Sequence, residues 1–256
     1  MSRRIIFSLF FILIAVTVNS QEKTFRPGGF VRGGIFYSTG DYSNDINAAF
    51  GDAAIMLDAT DNLSFRGFAD LRVRMGQQFG DNINSLQVRE AWGMYYNSFM
   101  SISLGKKIIK WGKTDLFSPL SRFNPMDYTF RSPDFEDKDM GNLIGKLTLT
   151  PFPSLKLSAV ATPFWNPSLL MTNPLELPAN IDLEMPAGLK TGNGYHSYGF
   201  RADLMARALD AGIQWYHGPD LMPGLSLITA DYTNLMNPLI SIAGVPYIIN
   251  QAGFNL

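Results

Sequence analysis

The chain of 256 residues has no cysteine and only two histidines. Without cysteine there is no lipoprotein acyl site, no disulfide scaffold and no thiolate metal site. Charge is also scarce: Asp, Glu, Lys and Arg make up 17% of the chain, against ~25% in average soluble domains. The formal net charge of -1 and a pI near 6.1 point away from a nucleic-acid partner. Beyond residue 18 no apolar run approaches the ~20 residues that a spanning helix needs. What the chain does hold is 13% aromatic residues and a persistent alternation of apolar and polar side chains.

The N-terminus reads as an export signal. Arg3 and Arg4 precede an apolar stretch over 5–18, followed by Val18, Asn19 and Ser20, a cleavage pattern that places the cut after Ser20. The alternative, a transmembrane anchor, needs a longer apolar run. Residues 1–20 are therefore expected to be a signal peptide and 21–256 an exported, lipid-free domain.

Within that domain 63–75, LSFRGFADLRVRM, alternates without a break. Leu63, Phe65, Leu71, Val73 and Met75 share one face, and Arg66, Asp70, Arg72 and Arg74 the other, a period of two that specifies a strand. Thirteen residues at ~3.3 Å each span ~40 Å, enough to cross a bilayer at a tilt of ~45°. Similar strands are expected over 29–39, 49–58, 63–79, 86–96, 99–111, 142–150, 155–164, 195–208 and 211–217, with 247–256 the start of a tenth. Connections near 60–62, 97–98, 152–154 and 209–210 are tight, whereas 40–48, 112–141, 166–194 and 218–246 are long. Turns sorted by length in this way mark an outer-membrane barrel with short periplasmic and long external connections. The fold class expected is all-β: a transmembrane antiparallel up-and-down β-barrel, incomplete, with nine to ten strands of a larger barrel present. A complete ten-stranded barrel and a soluble β-sandwich are the alternatives.

Energy fixes the facing. An arginine on the lipid face near the midplane costs ~2–4 kcal/mol, so the charged residues turn inward. That makes Arg32, Arg66, Asp70, Arg72, Arg74, Arg89, Lys107, Lys146, Lys156, Arg201, Asp203 and Arg207 lumen residues. Strand 99–111 breaks the pattern at Lys106 and Lys110, which calls for a bulge at Gly105 or a strand end above the bilayer. Tyr95, Tyr96, Phe99 and Phe152 at the turn end, with Tyr37, Trp111, Trp165, Tyr198 and Trp215 at the loop end, would form two aromatic girdles.

The most specific local pattern is LGKKIIKWGKTDLFSPLSRFNPMDY, residues 104–128. Gly105, Lys106, Lys107, Trp111 and Gly112 are followed by Asn124, Pro125, Asp127 and Tyr128. The stretch resembles a largely uncharacterised family of porin-like outer-membrane barrels, in which a strand ending G-(R/K)-(Q/K)-x-x-x-W-G leads to an N-P-x-D-Y loop. The resemblance implies a barrel with a loop folded into its lumen, related to anion-selective porins and polysaccharide-export channels. It covers this stretch well and the rest of the chain loosely.

Charge points to the same inserted loop on its own. Asp115, Asp127, Asp134, Glu136, Asp137 and Asp139 outnumber Lys113, Arg122, Arg131 and Lys138 between 112 and 141, opposite a mainly basic wall. Together with Asn124, these residues make a candidate constriction whose transverse field would filter ions, with a lean toward anions. The other reading of 112–141 is a solvated acidic surface loop.

Two functions compete: passive diffusion of small polar solutes, and a channel for hydrophobic compounds or an exported polymer. The second draws on the apolar loops 166–194 and 218–246. Catalysis has little support, because His196, His217, Ser197 and Asp220 form no recognisable triad. No cofactor or metal site is expected. The partners expected are outer-membrane lipid, small solutes, the barrel-insertion machinery and further copies in a homotrimer.

Overall fold

A computed structural model describes residues 24–39, 44–61, 63–111, 122–129, 131–172, 177–186, 188–192, 194–205, 210–234 and 238–255. Residues 1–20, expected from the sequence to be a signal peptide, and Gly112, Lys113, Asp115 and Arg207 lie outside these residues. The strands are β1 (Thr24–Thr39), β2 (Asn44–Thr60), β3 (Phe65–Gln78), β4 (Asp81–Tyr96), β5 (Met100–Lys107), β6 (Asn142–Phe152), β7 (Leu155–Thr162), β8 (Ile181–Glu184), β9 (Ser197–Met205), β10 (Asp210–Pro219), β11 (Gly224–Asp231), β12 (Leu239–Val245) and β13 (Ile248–Asn255). Ten of them form one antiparallel up-and-down sheet in the order β1-β2-β3-β4-β5-β6-β7-β9-β10-β13. Its two edges are β1 and β13, which do not pair with each other among the described residues.

The alternation read in 63–75 governs the whole sheet. On one face Val31, Ile55, Val73, Leu86, Leu104, Leu147, Phe200, Ile213 and Phe254 are exposed, Val31 to 86% and Leu86 to 77%. On the other, Asp52, Asp70, Arg72, Arg74, Ser103, Thr148, Ser158 and Gln214 are buried. Ten strands ~4.8 Å apart make a face roughly 48 Å wide, so the exposed apolar surface far exceeds a patch of a few hundred Å² on a soluble monomer. One face of the sheet is apolar and exposed, the other polar and buried.

Several boundaries differ from the sequence reading. β5 stops at Lys107, because Ile108 N–H turns away to Glu90 Oε1 at 2.8 Å. No bulge occurs at Gly105, where both ladders of β5 run without a shift. Gly105 instead takes φ +129°, where a Cβ would lie 2.4 Å from the Ala91 carbonyl oxygen. The bulge lies opposite, in β4: Asp70 pairs with Glu90 and Leu71 with Val88, which leaves Arg89 as the extra residue.

The sorting of connections is also less strict than expected. β3 and β4 are joined through Phe79 and Gly80 alone, with φ of 48° and 85°, the double positive φ of a type I′ hairpin. At the opposite end Asp61 Oδ1 accepts the N–H groups of Leu63, Ser64 and Phe65 at 2.9, 2.8 and 2.7 Å. These bonds stabilise the ionised carboxylate and hold Asp61 below its usual range.

The apolar segments read as long loops are partly strands. β11 and β12 pair with each other, and β8 joins β12 in parallel, giving a separate three-stranded sheet. Pro219 pairs with Ile248 and, beyond a short interruption, Gly224 pairs with Val245. β10–β11 and β12–β13 are thus two arms of one long, interrupted ribbon. Trp111 and Trp165 do not join an exposed girdle, being 4% and 2% exposed. Tyr37, Tyr95, Phe99, Phe152 and Trp215 are exposed at the surface.

Candidate functional site

Strand register assembles the charges of the polar face. Asp52 pairs across β1–β2 with Arg32 and across β2–β3 with Arg74. Its Oδ2 accepts from Arg32 Nη2 at 2.8 Å and from Arg74 Nη2 at 2.9 Å. Further along β3, Asp70 accepts from Arg72 at 3.2 Å, and Arg89 Nη1 lies 3.5 Å from the same carboxylate. The bulge in β4 keeps Arg89 on this face beside Glu90, since a regular strand would turn one of two successive residues outward.

Residues 122–141 lie against these charges. Asp137, on a single 3₁₀ turn (Phe135–Lys138), accepts from Arg72 Nη1 at 2.7 Å and also from Arg32 and Ser132. Backbone carbonyls supply the other contacts. Arg74 donates to Arg131 O at 3.1 Å, Gln78 to Thr129 O at 2.6 Å, and Arg89 to Asp139 O at 3.1 Å and to Glu136 O. Gln78 Oε1 accepts the Arg131 N–H in return at 2.9 Å. A cavity of about 140 Å³ remains between segment and wall, bordered by Asp52, Arg72, Arg74, Gln87, Asp127 and Asp137.

A second anchor is apolar. Ile109, Trp111, Phe123, Ile144, Val160 and Tyr216 form a buried cluster with Ile249 packed against it. The Phe123 ring meets Trp111 and Tyr216 edge-on, each at 5.1 Å between centroids. Asn124 locks the same turn: its side chain accepts the Ile109 N–H and donates to the Ile109 carbonyl, both at 2.7 Å. Asn142 donates to Phe123 O at 3.0 Å. The segment is thus held by ions over β1–β4 and by an apolar cluster over β6, β7, β10 and β13.

The loop carboxylates respond oppositely to burial. Desolvation disfavours charge on Asp137, but the hydrogen bonds from Ser132, Arg72 and Arg32 more than offset it, and its carboxyl sits below the usual range. Asp139 is pushed up, chiefly by burial, with Arg89 and Lys110 acting against the rise and Glu136 adding to it.

The remaining residues singled out in the sequence are distributed apart from this cluster. Arg66 pairs with Asp58 at 2.7 Å near the turn end. Arg201 binds Asp203 at 2.6 Å and Gln214 at 3.0 Å. Arg122 reaches Gln251 at 2.8 Å and Asp220 at 3.5 Å, on the β13 side. Asp127 is bonded to Thr129 within its own segment and weakly to Gln87 at 3.4 Å. Asp134 caps the 3₁₀ turn, and Glu136 pairs with Lys110 at 2.6 Å. Lys107 Nζ stands 3.6 Å above the Trp92 ring. Lys107, Lys146 and Lys156 form no ion pair among the described residues. His217 Nδ1 is 2.7 Å from Asn250 Oδ1; His196 stacks on Tyr198, and the His217 ring meets Tyr198 tilted at 5.0 Å.

Three contributors were missed in the sequence. Asp52 and Gln78 sit on the polar face of their strands, where the alternation of β2 and β3 marks them. Phe123 carries no such signal, because nothing in a loop sequence says which wall an aromatic ring meets.

No family model and no curated protein matches the chain. The site therefore rests on its own geometry. Among the described residues no helix is long and apolar enough to cross a membrane, and no group of three or more His, Cys, Asp or Glu side chains gathers as for a metal.

Proposed function

We propose that the ten-stranded sheet is the wall of an outer-membrane, porin-like β-barrel through which small polar solutes diffuse, with residues 122–141 narrowing the passage. The observation that carries this reading is the inversion of the sheet: a broad exposed apolar face backed by a buried charged one. Hydrocarbon accommodates the first and water the second. Strands cross a bilayer only when every backbone group is paired, so both edges need partners. Either β1 meets β13 in a ten-stranded barrel, or further strands lie between them.

The segment over the polar face fits a constriction because it is tied at both ends, ionically through Asp137 and by packing through Phe123. Such a fixed segment leaves a defined gap, and ions of both signs border it. A second reading, passage of hydrophobic compounds, draws on the exposed Leu225 and Leu227 of the three-stranded sheet.

The experiment is reconstitution of purified full-length protein in planar bilayers. Stable ohmic conductance is expected, and its absence would overturn the diffusion reading. Tightly bound detergent or lipid at the three-stranded sheet, together with low conductance, would favour the second reading. Closure has its own test, because the chain has no native thiol. A cysteine pair at Ile35 and Ala252, both on the apolar face, crosslinks only if the edges of β1 and β13 adjoin.

A further inference from the structure

We propose that Lys107 and Trp92, supported by Lys146, form an anion subsite on the polar face that takes small oxyanions, carboxylates or phosphates. This rests on the reading of that face as the lumen and names what the passage prefers.

Charge accounting singles out the lysines. Arg32, Arg66, Arg72, Arg74, Arg89 and Arg201 each have a carboxylate within salt-bridge distance. A guanidinium already bound to a carboxylate offers little net charge to a passing solute. Lys107 and Lys146 form no ion pair among the described residues, yet both side chains are partly buried. Glu90, on the neighbouring strand β4, accepts the Ile108 N–H at 2.8 Å and makes no salt bridge with Lys107 within 4.0 Å among the described residues. Lys107 pairs with Asn142 and Lys146 with Ser103, so the two lysines stand on the same face four rungs apart along the β5–β6 ladder, where an anion is drawn to both.

A second observation comes from the indole. Trp92 Nε1 is buried and has no hydrogen-bond partner. An orphaned buried donor is uncommon, and it leaves the indole N–H available to an acceptor. The Lys107 ammonium rests 3.6 Å over the same ring, a contact that holds it near without satisfying its three donors. The Phe68 ring, tilted and 5.7 Å from that of Trp92, packs against the indole. An oxyanion has the acceptors that both the ammonium and the indole N–H lack. Rings of Lys and Arg are the general means by which pores favour anions, and Lys107 and Lys146 are two such cations with no carboxylate in salt-bridge distance among the described residues.

The test uses full-length protein with inorganic phosphate as the probe. In bilayers bathed in potassium chloride, phosphate is expected to reduce the current saturably. Lys107→Gln should raise the half-blocking concentration about tenfold, the loss of one charge-assisted hydrogen bond, while Lys107→Arg stays within about twofold. Equal block in the wild type and in Lys107→Gln overturns the subsite. In detergent, phosphate should change tryptophan emission saturably, and the change should vanish in Trp92→Phe and in Lys107→Gln. A saturable optical change in a protein that conducts nothing keeps the subsite and removes the diffusion reading. Conductance without saturable block or optical change does the reverse.

Discussion

Asp137 Oδ1 lies 2.7 Å from Arg72 Nη1, joining a 3₁₀ turn to a strand 65 residues earlier in the chain. Both side chains are almost wholly buried, and Asp137 also accepts from Arg32 and Ser132. Removing one member of a buried ion pair costs ~3–5 kcal/mol because the partner charge stays behind. Asp137→Asn should therefore release the segment while leaving the sheet, whose ladders it does not join, intact. The check is trypsin cleavage after Arg131, expected to accelerate strongly at unchanged circular dichroism. An unaltered cleavage rate would show that the clamp does not hold the segment.

Acid should act on the same clamp in two directions. Asp137 sits below its usual range when docked, so its contribution to docking is complete above the ordinary carboxylate pKa near ~3.9. That contribution is lost as pH falls through the docked value. Asp139 sits above its usual range, so it opposes docking at neutral pH and ceases to oppose it once protonated. Docking should tighten modestly from pH 7 toward about 4 and loosen below it. The frequency of channel closures, followed over that range in planar bilayers, should pass through an extremum near pH ~4. Asp139→Asn should flatten the upper limb only.

The apolar anchor gives a prediction independent of charge. Phe123 is buried between Trp111 and Tyr216 at 5.1 Å from each. Phe→Ala in a packed site costs ~3–5 kcal/mol, and Phe123→Ala should loosen the start of the segment without touching Asp137. Because the two anchors share no partner, their effects on cleavage should add in the double variant. Strong non-additivity would mean that the segment docks as a single unit.

How far these features could be read from the chain depends on what enforces them. The alternation of 63–75 reports β3 because the two faces of a strand meet different surroundings, and its acids and bases fall into register with Asp52 and Glu90. The return strand at 247–256 was visible for the same reason, and β13 occupies 248–255. Strand 99–111 was drawn too long because IIKW continues the alternation, although Ile109 and Trp111 turn into a cluster with residues far away in sequence. The adjacent Arg89 and Glu90 were the available sign of the β4 bulge. In β11, alternation in LSLITA was masked by the overall apolarity of the loop, so a paired strand passed as irregular chain. The docking of 122–141 was suggested by opposite charge, yet most of its contacts use backbone carbonyls, which no sequence displays.

The inverted sheet itself is open to a direct test at Val31. This side chain lies mid-strand in β1, is 86% exposed and is level in the ladder with Ala53, Val73 and Leu86. On a water-facing surface Val31→Arg would change stability by no more than about 0.5 kcal/mol. At the midplane of a bilayer the same change costs ~2–4 kcal/mol. Urea titrations of protein folded into vesicles should show that larger loss, whereas Arg32, one residue along, should tolerate replacement by lysine with a much smaller one. A Val31→Arg variant as stable in vesicles as the parent would remove the apolar face from the membrane, and the channel reading with it.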